Sequence, residues 1–212
     1  VVGAAIESAN AAEILIDQGR IDEARPLIKS SLRVFSASDN PYLVAFVTGF
    51  AGRAALRAGD MDAAAGAFAD AAARFAALDE SDAVLDVRVR GIEADLARGQ
   101  LDTARATADE LSIDEDVAGP ALSRLLRLRA RIAAATGDTP LAVQLALDAA
   151  EVVGATPFER ALSLAEHAAW DPSASTASAT EALAVLGELD VADIPELLAL
   201  PRQLVSAAPP TH

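Results

Sequence analysis

Three arginines, Arg124, Arg127 and Arg131, are spaced to share one face of a helix. They fall within about 60° of each other, because each helical residue advances by about 100°. A guanidinium group offers a fork of N–H donors that matches a carboxylate. In a chain of net charge −15, this row predicts a site for an anionic peptide or a C-terminal carboxylate. Arg53 and Phe46 complete the candidate groove-binding residues.

An alternative role for the same arginines is internal charge pairing. Asp86, Glu93 and the acidic stretch at 109–116 are the candidate carboxylates. Exposed ion pairs contribute about 0–1 kcal/mol each. We therefore expect replacement of all three arginines by alanine to leave folding nearly intact under either interpretation. Arginines that point into open solvent would favour the binding role, and arginines already bound to acids would favour the structural one.

The aromatic side chains of one segment, Phe46, Phe50, Phe68 and Phe75, recur at helical spacings. Such spacing is typical of a buried helical face. The pattern predicts that these rings form core, with a groove-facing position for Phe46 as the alternative.

Other kinds of chemistry have little support in the sequence. The single lysine, Lys29, has no glycine-rich phosphate loop around it. His167 is predicted to be a partly buried helical residue, and His212 is the last residue of the chain. The stretch 109–116 lacks the residue order of a calcium loop, and the chain has no cysteine. We predict no catalytic residues, no metal ligands and no cofactor.

Composition favours helices packed closely on helices. About a quarter of the residues are alanine, whereas aromatic residues supply only 4%, too few for a sheet-based core. The pI of about 4.4 argues against binding to nucleic acid or to an anionic membrane surface. No apolar run approaches the length needed to span a bilayer.

A hexapeptide recurs four times along the chain. It reads GRIDEA at 19–24, GDMDAA at 59–64, GQLDTA at 99–104 and GDTPLA at 137–142, so its glycines are 40, 40 and 38 residues apart. A glycine can end a helix in the left-handed conformation, and Asp60 or Asp138 can cap the helix that follows. The alanine that ends each hexapeptide suits a tight helix crossing. The repeating unit is therefore a helical hairpin.

Breaks between these units predict five hairpins. They cover about 1–39, 40–80, 81–117, 118–155 and 156–190. The last is degenerate, with Trp170-Asp171-Pro172-Ser173 in place of the glycine turn. Residues 191–212, which carry four prolines, are predicted to form a short capping helix and a flexible tail.

The hairpins resemble degenerate tetratricopeptide repeats (TPRs) over roughly residues 1–190. The small residue late in the first helix falls on Ala12, Gly52, Ile92 and Ala130, and the early alanine of the second helix on Ala24, Ala64, Ala104 and Ala142. The aromatic position one turn later is matched by Phe68 but not by Ile28, Ala108 or Ala146. The expected tryptophan is replaced by Ser8, Thr48, Arg88 and Leu126.

A narrower resemblance rests on the general residue pattern of three segments rather than on invariant residues. The segments LRLRARIAAATGD (125–138), GATPFERALSLA (154–165) and ALAVLGELDV (182–191) resemble the C-terminal repeat region of large actinobacterial signalling regulators. Those regulators carry an ATPase, often with a cyclase or a DNA-binding domain. The start at Val1 is consistent with an excised fragment of such a chain.

These observations predict an all-α fold, a right-handed α-α superhelix of the TPR-like solenoid type with about ten antiparallel helices. The resemblance implies a non-enzymatic regulatory module that docks a protein, a peptide or a neighbouring domain along its concave face. A small-ligand sensor and a structural or oligomerisation scaffold are the alternatives. We expect a cytoplasmic location, no membrane or nucleic-acid partner, and an oligomer as an open option.

Overall fold

The computed structural model describes residues 1–111, 119–171, 173 and 175–191, and these residues form helices and no strands. The helices are α1 (Val2–Asp17), α2 (Ile21–Ala37), α3 (Pro41–Arg57), α4 (Met61–Ala76), α5 (Ser81–Ala97), α6 (Leu101–Glu110), α7 (Gly119–Ala135), α8 (Thr139–Glu151), α9 (Pro157–Trp170) and α10 (Ser175–Glu188). Their bounds fall inside the five predicted hairpins. The predicted capping helix and tail lie beyond Val191, outside the described residues.

The helices belong to two compact units, which divide between Thr107 and Ala108 within α6. In the first unit α3 packs against α1, α2, α4 and α5. In the second unit α7 packs on α8, α8 on α9 and α9 on α10, and α7 also contacts α9. Within each unit, therefore, an odd-numbered helix contacts the next odd-numbered helix, and α1, α3, α7 and α9 also contact their hairpin partners.

Four turns built on the recurring hexapeptide share one geometry. Gly19, Gly59, Gly99 and Gly137 have φ values of 77°, 80°, 74° and 85°. After each glycine, the next amide donates to a carbonyl five residues earlier, as Asp60 does to Ala55 at 2.9 Å. Asp60 and Asp138 then cap the following helices through the amides three residues on. The predicted helix-ending glycines and carboxylate caps are confirmed.

We expect Gly59→Ala to lower the free energy of unfolding by about 1 kcal/mol, because a side chain is strained at positive φ. Gly66 is the matched control, since it lies inside α4 and an added Cβ would meet no atom within 4 Å. There alanine should stabilise the helix by about 0.5–1 kcal/mol. Urea unfolding of both variants checks the opposite signs, and a shared sign would contradict the turn geometry.

The small residues of the repeat pattern lie in the core. The four alanines that end the hexapeptides, Ala24, Ala64, Ala104 and Ala142, are all 0% exposed. Phe50, Phe68 and Phe75 are also buried, as their spacing predicts. Small side chains at these points let the helices of a hairpin approach closely.

Candidate functional site

The arginines that were predicted to line a groove lie instead in a charge cluster between α7 and α9. This α7–α9 charge cluster consists of Arg124, Arg127 and Arg131 of α7 with Glu159 and Glu166 of α9. The helical spacing of the arginines places them along one side of α7. The two glutamates are seven residues apart, two helical turns, so both face the same neighbour.

The arginines and glutamates of the α7–α9 charge cluster contact each other directly. Arg124 donates from Nε and Nη2 to Glu159 Oε1 at 2.8 and 2.6 Å. Arg127 donates from Nη1 to Glu166 Oε1 at 3.2 Å, and its Nη2 lies 3.6 Å from Glu159 Oε2. Arg131 is looser, with Nε 3.9 Å from Glu166 Oε1. Arg127 thus bridges the two carboxylates.

Burial shows that Arg124 and Arg127 do not point into open solvent, as the binding role would require, and it favours the alternative of internal charge pairing. Arg124 and Arg127 are 4% and 2% exposed, and Glu159 and Glu166 are each 4% exposed. The expectation for the triple alanine variant assumed exposed ion pairs, and burial contradicts that assumption. We now expect the variant to be destabilised, because two buried carboxylates would lose their counter-charges. The physical reason is α9, which covers this side of α7. Arg131, with 35% of its side chain exposed, is the most accessible arginine of the cluster.

A second cluster repeats the arrangement in the first unit. Arg53 of α3 donates from Nη1 to Glu13 of α1 at 2.7 Å and from Nη2 to Asp17. Its guanidinium carbon lies 5.4 Å from the centre of the Phe50 ring, a cation–π contact. Arg53 is 8% exposed, so this predicted groove residue is also held inside the protein by acids of its own chain.

Arg57 extends this α1–α3 charge cluster towards the end of α1. Its Nη2 and Nε donate to the carbonyls of Asp17 and Ile16, at 2.8 and 3.3 Å. Burial lowers the pKa of Arg57, while the carboxylates of Asp17 and Glu93 raise it. These carbonyls belong to the last turn of α1, where a cation is favoured by the helix dipole. The cluster therefore fastens α3 to the C-terminal end of α1.

The repeat period of the sequence indicates the ion pairs of both charge clusters. Glu13 and Arg53 are 40 residues apart, and Arg127 and Glu166 are 39 apart, each close to one repeat. Opposite charges at equivalent positions of successive odd-numbered helices will meet when hairpins stack. The sequence analysis did not pair these positions.

Phe46, the aromatic candidate, belongs to a cluster that runs along α3. Its ring centre lies 4.6 Å from that of Phe50 and 6.4 Å from that of Tyr42, and Tyr42 contacts Phe75 edge-on at 5.5 Å. Phe46 is partly buried and packs against two neighbouring core clusters. Tyr42, at 41% exposure, is the part of this cluster that reaches solvent. Core packing is thus the main role that the structure gives to Phe46.

His167 has a serine and an aspartate nearby, residues that the sequence analysis did not connect with it. Its Nδ1 lies 3.0 Å from Ser178 Oγ of α10, and its Nε2 lies 3.7 Å from Asp171 Oδ2. The second distance is too long for a hydrogen bond, and Asp171 accepts bonds from Ser173. Ser178 is 9% exposed and His167 4%, so a substrate has no access. The contact joins α9 to α10 and does not form a nucleophile–base pair open to a substrate.

Two further kinds of site are not found in the described part of the chain. No group of three or more histidine or acidic side chains there is arranged to hold a metal ion. None of the helices in those ranges is both long and apolar enough to cross a membrane. The part of the acidic stretch at 112–116, which was considered for a cation, lies outside the described residues.

Solved structures with similar folds are repeat proteins. A kinesin light chain-type protein of Podosopora anserina with nearly identical TPR-like repeats aligns with a TM-score of 0.55 and 18% identity, over 96% of each chain. A single-substitution variant of that protein gives 0.56 and 16%, over 95% of this chain and 98% of that one. BtubC (BKLC) of P. vanneervenii gives 0.53 and 17%, over 100% and 85%.

This likeness confirms the predicted fold class. The protein is an all-α repeat solenoid of the TPR-like type. No protein-family model matches the sequence. No curated protein matches it either. At 16–18% identity the shared feature is the fold, and function must be argued from the surfaces of this chain.

Proposed function

We propose that this protein is a non-catalytic protein-interaction module. The observation that carries the proposal is a TPR-like stack of hairpins whose buried ionisable groups are bound to each other. Arg53, Arg124, Arg127, Glu159 and Glu166 contact opposite charges of the same chain, which suits a scaffold better than an active site. Stacked hairpins also expose extended surfaces, which repeat proteins use for binding.

In finer terms, we propose the sensor or docking part of a larger cytoplasmic signalling or transcription-regulating protein. The support is the general residue pattern that the segments at 125–138, 154–165 and 182–191 share with actinobacterial regulators. A protein, a peptide or a neighbouring domain would be the partner. The net charge of −15 predicts no measurable affinity for DNA or RNA at physiological salt.

Within this proposal the original groove residues have different roles. Arg53, Arg124 and Arg127 position the odd-numbered helices, because their guanidinium groups are bound to internal carboxylates. Phe46 with exposed Tyr42 in the first unit, and Arg131 in the second, remain proposed contacts, each considered within its own unit. A ligand at Phe46 and Tyr42 would meet an aromatic edge, and a ligand at Arg131 would meet a single partly exposed cation.

Site-specific photo-crosslinking in the parent protein tests the interaction. A photoreactive phenylalanine replaces Tyr42 on α3 in one variant and Lys29 on α2 in another, because both are exposed. We expect a discrete protein adduct from at least one of these positions in the native host. A small-ligand sensor would instead give no adduct, together with a raised melting temperature in a metabolite pool. That second pattern would overturn the proposed function.

A further inference from the structure

An open groove, which we call the α2–α4 groove, lies over α3 between α2 and the start of α4 in the first unit, away from the α1–α3 charge cluster. Both helices pack against α3, which forms its floor. A pocket of about 260 Å³ opens there, and its apolar lining comes from Ala51, Ala54 and Ala55 of α3 with Ile28 and Leu32 of α2. The small side chains of α3 keep this floor low, so an apolar side chain from outside could enter.

The rim of the groove on α2 is basic. Arg25 and Lys29 line the pocket, and Arg33 follows at the same four-residue spacing. All three are exposed, and together they span about 12 Å of helix. Arg25 lies 3.7 Å from exposed Asp22, whereas Lys29 and Arg33 make no ion pair with a described residue.

On the side of α4, the pocket is lined by Asp60, the residue that precedes this helix. Asp60 accepts a hydrogen bond from the amide of Ala63 at the start of α4. The carboxylate of Asp60 therefore lies at the N-terminus of α4, where the helix dipole stabilises a negative charge.

We propose that this α2–α4 groove binds an acidic amphipathic helix of a partner protein. The proposal rests on the proposed function and names its surface and the chemistry of its partner. Apolar side chains of the incoming helix would enter the pocket over Ala51 and Ala55. Carboxylates spaced four residues apart along its edge would pair with Arg25, Lys29 and Arg33, and its other edge would lie beside the start of α4. A helix fits because a groove between two helices accepts a third by the same packing.

The probe for this proposal is a synthetic helical peptide with leucines on one face and glutamates at every fourth position beside them. Its twin carries lysine in place of each glutamate. Fluorescence anisotropy at about 0.1 M ionic strength measures binding to the whole chain. We expect saturable binding of the acidic peptide and at least about tenfold weaker binding of the twin.

Variants of the chain locate the binding. The charge reversal Lys29→Glu with Arg33→Glu should weaken the acidic peptide at least about tenfold and strengthen the lysine twin. Ala51→Leu with Ala55→Leu should block the pocket and weaken both peptides. Arg105→Glu is the matched control, because Arg105 is an exposed cation at the repeat position of Arg25, two repeats later. This variant should leave peptide binding unchanged. Circular dichroism melting verifies that each variant is folded.

The proposal is overturned if the acidic peptide shows no saturable binding below about 1 mM, or if the Lys29→Glu, Arg33→Glu variant binds it as well as the original chain. Either result would leave the proposed function standing, provided that the crosslinker at Tyr42 yields an adduct. Absence of adducts at both crosslinking positions, together with a raised melting temperature in a metabolite pool, would instead overturn the proposed function.

Discussion

Replacing Arg127 by methionine is expected to lower the free energy of unfolding by about 3–5 kcal/mol. Arg127 is 2% exposed and lies between Glu159 and Glu166. Methionine fills much of the same volume, but it removes the positive charge that both buried carboxylates contact. A buried carboxylate that loses its counter-charge is strongly destabilised. Chemical denaturation at neutral pH measures the effect.

Two further variants control for volume and for position. Arg131→Met removes a partly exposed arginine of the same helix face, and we expect a loss of at most about 1 kcal/mol. The double variant Arg127→Met with Glu166→Gln should be less destabilised than Arg127→Met alone, because it also removes one carboxylate charge. Equal losses for Arg127→Met and Arg131→Met would contradict the buried bridge.

Gly52→Ala is expected to destabilise the protein by about 1–3 kcal/mol through overpacking. A Cβ at Gly52 would lie 2.7 and 2.8 Å from two ring carbons of Phe68. Phe68 is 2% exposed, so its ring cannot move aside without disturbing the core. Thermal or urea unfolding measures the loss.

The repeats themselves supply the compensating change. At the equivalent positions the first hairpin has Ala12 and Ile28, so Gly52→Ala with Phe68→Ile reproduces a natural combination. We expect the double variant to be more stable than the sum of the single changes predicts, by about 0.5–3 kcal/mol. Additive losses would mean that these two positions do not share one packing space.

The fold was predictable because its determinants are local and repeated. A glycine that ends a helix and an aspartate that caps the next act within a few residues, so GDMDAA at 59–64 and its relatives reveal the turns directly. The alanine after each turn is buried for the same reason in every hairpin that carries the hexapeptide. The fifth hairpin lacks the glycine motif, yet Thr156 and Pro157 still mark the start of its first helix.

The sequence predicts which arginines of the α7–α9 charge cluster share a face, but not which acids they contact. Helical spacing places Arg124, Arg127 and Arg131 on one face, but it does not say which helix covers that face. Their partners Glu159 and Glu166 lie 35 and 39 residues away, in the hairpin with the weakest repeat signal. Burial is a tertiary property, and it favours internal pairing over ligand binding for Arg124 and Arg127, two roles that the sequence left open.

The α2–α4 groove was missed for a different reason. Lys29 drew attention only as a residue without a phosphate loop, and its neighbours at four-residue spacing were not compared. The pocket beside it depends on small residues of α3, a helix from the next hairpin. A surface made by two hairpins becomes visible only when their packing is known.

Hydrogen–deuterium exchange of the full chain, with and without the saturating acidic peptide, tests the assignment of docking to the α2–α4 groove most directly. We predict slower exchange in α2 around residues 25–33 and in the floor of the groove on α3, with no change in α7 or in α9. Protection of α7 and α9 with no change in α2 would contradict this assignment, because it would place docking on the arginine face that we assign to internal support.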